Sequence, residues 1–399
     1  MREVAIIGVG MHKFGRFLDL SLKDLGRVAV WNAIHDAGID PHLIEAAYVG
    51  NSLGGLITGQ EGIRGQVILR DAGFTGIPVV NVEGACASSS IGLREAWIAI
   101  GAGIHNVVLV LGVEKMFLED TSRSLSALAA DSDMELLGAL GFQFVGNYAM
   151  KLRKYMEESG WTQKHLAIVT VKNKYNGSLN PYAQYQKAMT LEEVLASRVV
   201  AYPLTLFMCS SMADGAAALI LCAKEIAPRY TAKPLPTIAA CELYSMHFQD
   251  PRKEKENEDG ELAAYRIPIY RAYERAGVGP EDLDVAEVHD AMAPGEMFRS
   301  IACGLYTAEE APRFIEEGRT SLTGTIPVNP SGGLAGRGHP VGATGAAMIA
   351  ELTWQLRGEA GKRQVHGKKG KGPRIALAQN SGGLVAGETA VSMGTILKL

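Results

Sequence analysis

Cys86 lies in the stretch NVEGACASSSIGLREAWIAI. A strand ending near Val82 runs through Gly84 into a helix that opens across Ser88–Ser90. A thiol at a helix N-terminus faces unpaired N–H groups and the positive end of the helix dipole. Both favour the thiolate, the reactive form of cysteine. A small buried core residue is the alternative reading of the same position. Of the other cysteines, Cys209 and Cys222 flank SSMADGAAALIL and read as packing residues. Cys241 and Cys303 sit in apolar contexts without a glycine turn. No pair has CxxC spacing, so the expectation is that no metal is bound.

Two histidines and one asparagine stand in matching contexts. His339 sits in NPSGGLAGRGHPVGATGAAMIAEL, where glycines and Pro340 hold a loop close to something before an Ala-rich helix begins. Such a loop could bring a general base to a cysteine. His289, in DVAEVHDAMAPGEM, comes directly after a strand, at the kind of C-terminal edge where α/β sheets bind ligands. An imidazole there can donate a hydrogen bond. Asp290 either orients its surroundings or N-caps the helix that follows. Asn380 lies in ALAQNSGGLVAGE, read as a strand ending in a glycine turn at Gly382 and Gly383. The backbone N–H groups of such a turn can point at a developing oxyanion, although a tight turn alone also accounts for the glycines.

These residues need elements to position them, and the chain repeats its elements. Residues 33 to 49 read AIHDAGIDPHLIEAAYV and residues 272 to 288 read AYERAGVGPEDLDVAEV. At a constant offset, Ala33, Ala37, Gly38, Pro41, Ala47 and Val49 meet Ala272, Ala276, Gly277, Pro280, Ala286 and Val288. Each copy reads as helix end, glycine cap, proline-started turn, then strand. Strand signals at Val4–Ile7 and Thr237–Ala240 repeat more loosely. So do glycine-turn helices at Gly84–Ile100 and Gly338–Leu356, and strands at Asn106–Leu111 and Arg374–Ala378. A closing strand follows each, Ala216–Cys222 and then Thr389–Ile396. Alternating strands and helices predict an α/β fold with helices around mixed sheets. The halves span 1–225 and 235–399, and the first carries an insertion at about 114–208. Helical stretches are expected there at Gly146–Ser159 and Thr190–Val200. The insertion is read either as a lid or binding segment, or as a stability or oligomer-contact element. The charged segment Gln249–Glu261 reads as an exposed, mobile loop.

Composition excludes several classes. Apolar residues make up 47% and charged residues 21%, with a formal net charge of -4, which suits a globular protein and not a nucleic-acid binder. The one basic run, Lys362 to Lys371, holds two glycines and no aromatics, as a solvated loop would. GVGMHKFG lacks the GxGxxG dinucleotide fingerprint. No apolar run approaches the ~20 residues of a membrane span. The chain starts directly with a strand signal, and five cysteines without a pairing pattern fit a reducing cytoplasm.

Taken in order, a Cys helix turn, HD after a strand, GHPxGATG and NxGG before the last strand resemble the thiolase superfamily along nearly the whole chain. ADGAAALIL at 213 to 221 is similar to the family segment leading back from its loop domain. HD in place of NEAF resembles the sterol-carrier-protein-type and archaeal acetoacetyl-CoA thiolase branch. The resemblance implies a thiolase fold, with two similar α/β halves in a layered α-β-α-β-α arrangement and an inserted loop domain. It implies an acyl-CoA C-acyltransferase with no bound cofactor and coenzyme A as substrate. Cys86 would attack a 3-oxoacyl-CoA, and His339 would activate it. His289 would help hold the enolate oxygen. The N–H groups of Cys86 and Gly382 would form a second oxyanion hole. The family's second cysteine is absent from both of its usual places, where Asn380 and Ala291 stand, with Met292 in place of Phe. His289, Ser381 or a bound water would then move the proton, giving a Cys–His–His–Asn site. The Ala291 and Met292 changes suit a roomier pocket, for a branched or aromatic acyl group such as benzoylsuccinyl-CoA. The resemblance further implies a homodimer or dimer of dimers, and a small zinc-ribbon, OB-like partner protein. An aldolase or condensing synthase of the same fold, and a non-catalytic acyl-CoA-binding subunit, are the competing readings.

Overall fold

The computed structural model describes residues 1–246, 262–368 and 370–399; the segment Gln249–Glu261 lies outside them. The first half runs β1 (Val4–Met11), α1 (Leu22–Ala37), β2 (Ala46–Gly50), α2 (Gly54–Thr58), α3 (Arg64–Asp71), β3 (Val79–Val82), α4 (Ser88–Gly101) and β4 (Val107–Glu114). The insertion then supplies α5 (Thr121–Ala129), α6 (Phe144–Glu158), α7 (Gln163–Ser178), α8 (Leu191–Leu195) and a short hairpin, β5 (Val199–Ala201) with β6 (Leu204–Thr205). β7 (Gly215–Ala223) closes the half. The second half runs β8 (Thr237–Ser245), α9 (Ala263–Ala276), β9 (Val285–Val288), α10 (Ala293–Ala302), α11 (Ala311–Glu316), α12 (Gly333–Arg337), α13 (Thr344–Arg357), β10 (Ile375–Val385) and β11 (Glu388–Lys398).

The repeat read in the sequence is a repeat in space. α1 and α9 both end on a left-handed glycine, Gly38 at φ 67 and Gly277 at φ 61. A proline-led 3-10 turn and a strand follow each, Pro41–Leu43 into β2 and Pro280–Asp282 into β9. The strands line up as β3-β2-β4-β7-β1 and then β8-β11-β10-β9, so the second half mirrors the first. The two runs meet at the Ala5–Thr237 pairing, which makes them formally one nine-stranded sheet. The partner that β3 would have in the second half shrinks to a single bridge, Ala286 with Val328.

Alternation along the strands builds the layers. Val4 and Ile6 pack inward with α4 and α13, whereas Ala5 and Ile7 pack outward against α1 and α3. On the second half, Leu377 and Ile396 face α9 and α10, whereas Ala376 and Leu397 join the inner core. The order is therefore helix, sheet, central helices, sheet, helix. All fourteen residues of α13 are buried, its charged Glu351 and Arg357 by pairing with Arg363 and Asp36.

Two expectations about local structure are corrected. The helix expected over Thr190–Val200 stops at Leu195, because the β-branched Val199 and Val200 pair into the β5–β6 hairpin instead. Asn380, Gly382 and Gly383 do not sit in a turn after a strand. They lie inside β10, where pairing with β11 continues to Val385, and the reversal comes at Ala386–Gly387.

Candidate active site

Cys86 occupies the middle of a 3-10 turn, Ala85–Ala87, that leads into α4. Ala85 adopts φ 51, a left-handed conformation that costs an L-residue about 1–2 kcal/mol and turns the chain sharply from β3. Ser88 locks the turn, its hydroxyl donating to the Ala85 carbonyl at 2.7 Å and accepting from the Gly84 N–H at 3.0 Å. From the other half, β10 comes close behind. A Cβ at Gly382 would stand 2.2 Å from the Gly84 carbonyl oxygen and 2.9 Å from the Cys86 nitrogen, so only glycine fits.

The thiolate expected at this helix start is not the resting form. Burial, then the Asp131 and Glu114 carboxylates, push the Cys86 thiol well above its ordinary value. One helix terminus does not offset full burial next to two acids. The thiol therefore needs a base at the moment it reacts.

His339 lies beside the thiol, within reach to serve as that base. Its Nδ1 lies 2.7 Å from the Thr344 hydroxyl. That hydroxyl gives its only proton to the Pro340 carbonyl at 3.0 Å, so toward His339 it must accept. The imidazole proton thus sits on Nδ1, and Nε2 keeps its lone pair. Burial, helped by Arg337, pushes the His339 pKa down to about 3, which keeps the ring neutral.

His289 is held in the same state by a different chain of bonds. Asn380 donates from Nδ2 to the Cys86 carbonyl at 3.0 Å and to the Ser90 hydroxyl at 3.0 Å. This fixes the amide and turns Oδ1 toward His289 Nδ1, 2.8 Å away. The His289 ring therefore also presents an unprotonated Nε2. In this tautomer it accepts a proton rather than donating one to a substrate oxygen, contrary to the donor role expected from the sequence. Burial, then His339 and Arg299, push its pKa well below the ordinary value. The two rings meet edge to face at 86° with centroids 5.2 Å apart. One ligating atom each from Cys86, His289 and His339 lie within 4.8 Å of one another.

Asp290 does not cap the helix after it; Met292 holds the N-cap position of α10 without a side-chain bond. Asp290 instead accepts from the Leu334 N–H at 2.7 Å and from Asn173 at 2.9 Å, tying the His289 loop to α12 and α7. The insertion's return strand closes the site from the other side, with Met212 bridging to His339 and Cys209 to Met292.

Cys86, His289, His339, Ser381 and Gly382 open into one cavity, whose other walls include Tyr148, Tyr265, Phe298 and Arg299. Asn380 stands behind the wall and positions His289. A second cavity adjoins the first and shares Leu128, Phe144, Ser210, Met292 and His339 with it. It reaches the exposed Arg16 and Arg198. Cys209 lines this second space, with burial pushing its thiol up to about 12. Cys222, Cys241 and Cys303 are core residues. Sequence reasoning missed Thr344, Ser90 and Arg299. Thr344 carried a signal, being inside GHPVGATG; Arg299 carried none, since the burial of its whole helix shows only in the fold.

The family described as "Thiolase, N-terminal domain" matches residues 4–225, and "Thiolase C-terminal domain-like" matches residues 249–395. Among curated proteins, the chain is 42% identical to an acetyl-CoA acetyltransferase of Methanothermobacter thermautotrophicus, over 96% of this chain and 97% of the relative. It is 35% identical to the benzoylsuccinyl-CoA thiolase subunit BbsB of Thauera aromatica, over 96% of this chain and 95% of the relative. Among solved structures, the Ltp2-ChsH2(DUF35) aldolase matches with a TM-score of 0.78 and 24% identity, covering 99% of this chain and 97% of that one, a likeness of fold.

Proposed function

This chain belongs to the thiolase family, and from that premise we propose that it is an acyl-CoA C-acyltransferase working through an acyl-Cys86 intermediate. The observation that carries the reading is the grouping of Cys86, His339 and His289 within 4.8 Å, with both imidazoles holding a free Nε2.

His339 Nε2 takes the Cys86 proton as the sulphur attacks the C3 carbonyl of a 3-oxoacyl-CoA. The C3 oxyanion is received by the N–H groups of Cys86 and Gly382. The C2–C3 bond then breaks, leaving the acyl group on sulphur and the enolate of the departing acyl-CoA, which is acetyl-CoA when C2 is unbranched and succinyl-CoA when it carries a carboxymethyl group. The proton taken from Cys86 returns to C2 of that enolate through His289, which replaces the family's second cysteine. His289 becomes a donor only while it carries this proton. In the second step an imidazole takes the proton of an incoming CoA thiol. CoA attacks the thioester, acyl-CoA leaves, and the proton returns to the Cys86 sulphur. Condensation is the reverse. Thr344 and Asn380 touch no substrate and fix the two tautomers.

The second cavity suits coenzyme A, since its apolar walls lead from His339 to Arg16 and Arg198, cations fit for phosphates. The first cavity suits the acyl group. Its aromatic walls, Phe144, Tyr148, Tyr265 and Phe298, support an acyl group larger than acetyl, such as the benzoylsuccinyl group in the relative's name. An aldolase would not need an activated thiol, and a pure binder would need neither thiol nor base. The exposed apolar side chains of the insertion, among them Met134, Leu136 and Leu140, support a partner or a second copy. The small zinc-ribbon type of partner is supported by the DUF35 component of the fold neighbour and by the word subunit in BbsB. Five unpaired thiols support a cytoplasmic setting, and no helix of the described residues is long and apolar enough to cross a membrane.

Intact-mass and peptide mass spectrometry after mixing with acetoacetyl-CoA or a 3-oxoacyl-CoA tests the proposal. An acyl adduct on Cys86 that CoA discharges is expected. A folded sample with no adduct and no turnover would sink it.

A further inference from the structure

Four arginines of the described residues are buried: Arg299, Arg337, Arg357 and Arg363. Three of them pair with carboxylates. Arg337 lies 3.4 Å from Glu287, Arg357 lies 2.8 Å from Asp36, and Arg363 lies 2.9 Å from Glu351. This is how proteins make a buried guanidinium tolerable. Arg299 is the exception. It is 2% exposed, and among the described residues no carboxylate pairs with it. Its Nε and Nη1 are buried with no hydrogen-bond partner. The rings of Tyr265 and Tyr148 lie 4.4 and 5.3 Å from its guanidinium carbon, and the Tyr148 side chain also hydrogen-bonds to the guanidinium, which softens the burial of the charge but leaves Nε and Nη1 without a partner.

The nearest acids are engaged elsewhere. Glu296, one turn earlier on α10, is taken by Lys172, Asn173 and Asn329. Asp290 is taken by Leu334 and Asn173. The unpaired arginine is also the one of the four that lines the cavity holding Cys86, His289 and His339. A permanent cation with open donors at a reaction cavity is a place for an anion that arrives with the substrate. A planar guanidinium matches a carboxylate. Arg299 stands in the acyl cavity and not in the one edged by Arg16 and Arg198, so the phosphates of coenzyme A are not its partner.

We propose that Arg299 is a specificity-determining residue, and that the substrate is a 3-oxoacyl-CoA carrying a second, free carboxylate that pairs with it. This rests on the thiolase reading above and narrows it to dicarboxylic substrates. Nothing in the cleavage itself changes, because the carboxylate binds and does not react.

Two acids and their neutral primary amides make the test. One acid is 3-oxoadipyl-CoA, with the charge at the end of the acyl arm. The other is a 2-carboxymethyl-3-oxoacyl-CoA, with the charge on the C2 branch. Thiolysis rates and binding constants are measured for each acid and its amide with the full-length protein. At least one acid should exceed its amide in kcat/KM and in affinity by about 10- to 100-fold, as a charge-assisted bond to a buried cation requires. Arg299→Met should bring that ratio close to 1, and Arg299→Lys should keep part of it. Should the variants not fold, the acid-to-amide ratio of the unaltered protein decides alone. If neither acid outbinds its amide, the proposal is overturned while turnover of the amides leaves the thiolase reading standing. If nothing turns over and Cys86 is never acylated, the thiolase reading fails, and the binding ratio still decides whether Arg299 holds a carboxylate.

Discussion

At equivalent places the two halves treat one backbone amide in opposite ways. α4 and α13 are each preceded by a three-residue 3-10 turn, Ala85–Ala87 and Val341–Ala343, which matches Cys86 with Gly342. Ala47 pairs with Leu109, and its repeat mate Ala286 pairs with Leu377, which matches Glu114 on β4 with Gly382 on β10. In the first half Glu114 reaches across and accepts from the Gly342 N–H at 3.0 Å. In the second half the matching position is a glycine, and among the described residues no carboxylate accepts from the Cys86 N–H. The same register matches Gly50 with His289 and Gly112 with Asn380. One half closes its turn with a carboxylate and packs its strand ends with glycines. The other leaves an amide open and places an imidazole and an amide side chain beside it. A symmetric frame thus becomes a site by subtraction on one strand and addition on two.

The comparison can be broken most forcefully at the turn itself. Cys86→Ala should remove turnover and adduct together, a loss beyond the ~10⁴-fold upper range of an acid–base deletion. Thiolysis assays with mass spectrometry would show it, and residual cleavage would mean the open amide alone supports chemistry. His339→Ala and His289→Ala should each cost roughly 10²–10⁴ in kcat. They should differ in kind: without His339, Cys86 acylation itself slows, whereas without His289, acylation by a simple acyl-CoA persists and carbon–carbon cleavage lags. Single-turnover kinetics separate these steps, and identical defects in both would erase the division of labour.

The matched pair of strand positions gives the sharpest contrast. Gly382→Ala keeps its own N–H but drives a Cβ into the Gly84–Cys86 turn, so besides a cost in stability it should lower kcat by roughly 10²–10³ by shifting the Cys86 amide off the oxyanion. Glu114→Gln should instead lower stability by about 1–3 kcal/mol, because the amides around it lose a buried acceptor. Denaturant melts run beside kinetics read both. If both changes cost only stability, the open amide is not what distinguishes the halves.

The smallest effect is in acid. His339 titrates near 6.5 when unfolded and at about 3 when folded, so the folded state resists protonation. Its contribution is intact above about pH 6.5 and is lost as pH falls toward about 3. Melting temperatures measured across that window should decline, and His339→Asn should flatten part of the slope.

Much of this arrangement was legible in the chain. Glycine and proline punctuation marked the two halves at Gly38, Pro41, Gly277 and Pro280, because those positions need particular backbone angles. Cys86, His289 and His339 announced themselves through the turns that hold them, and Asn380 through the glycines that follow it inside β10. The protonation states did not. They depend on the Thr344 bond to Pro340 and on the Asn380 bond to Ser90, and the second joins residues 290 positions apart. Burial also reversed the thiolate expectation, since sequence shows the helix start but not the acids folded against it. Arg299 became visible only when the carboxylates around it could be assigned to other partners.

The wholly buried α13 has a consequence for how the chain is made. The inner face of the first half, lined by α4, is finished only when α13 docks on it. On a ribosome, every residue from Gly101 to Thr344 must be added before that cover exists, which at about 5–20 residues per second takes on the order of tens of seconds. Through that interval the nascent first half shows a broad greasy face to its surroundings. Chaperone demand during synthesis is therefore set by the distance between two helices in the gene order, and a circular permutant that brings α4 and α13 closer together should need less help to mature.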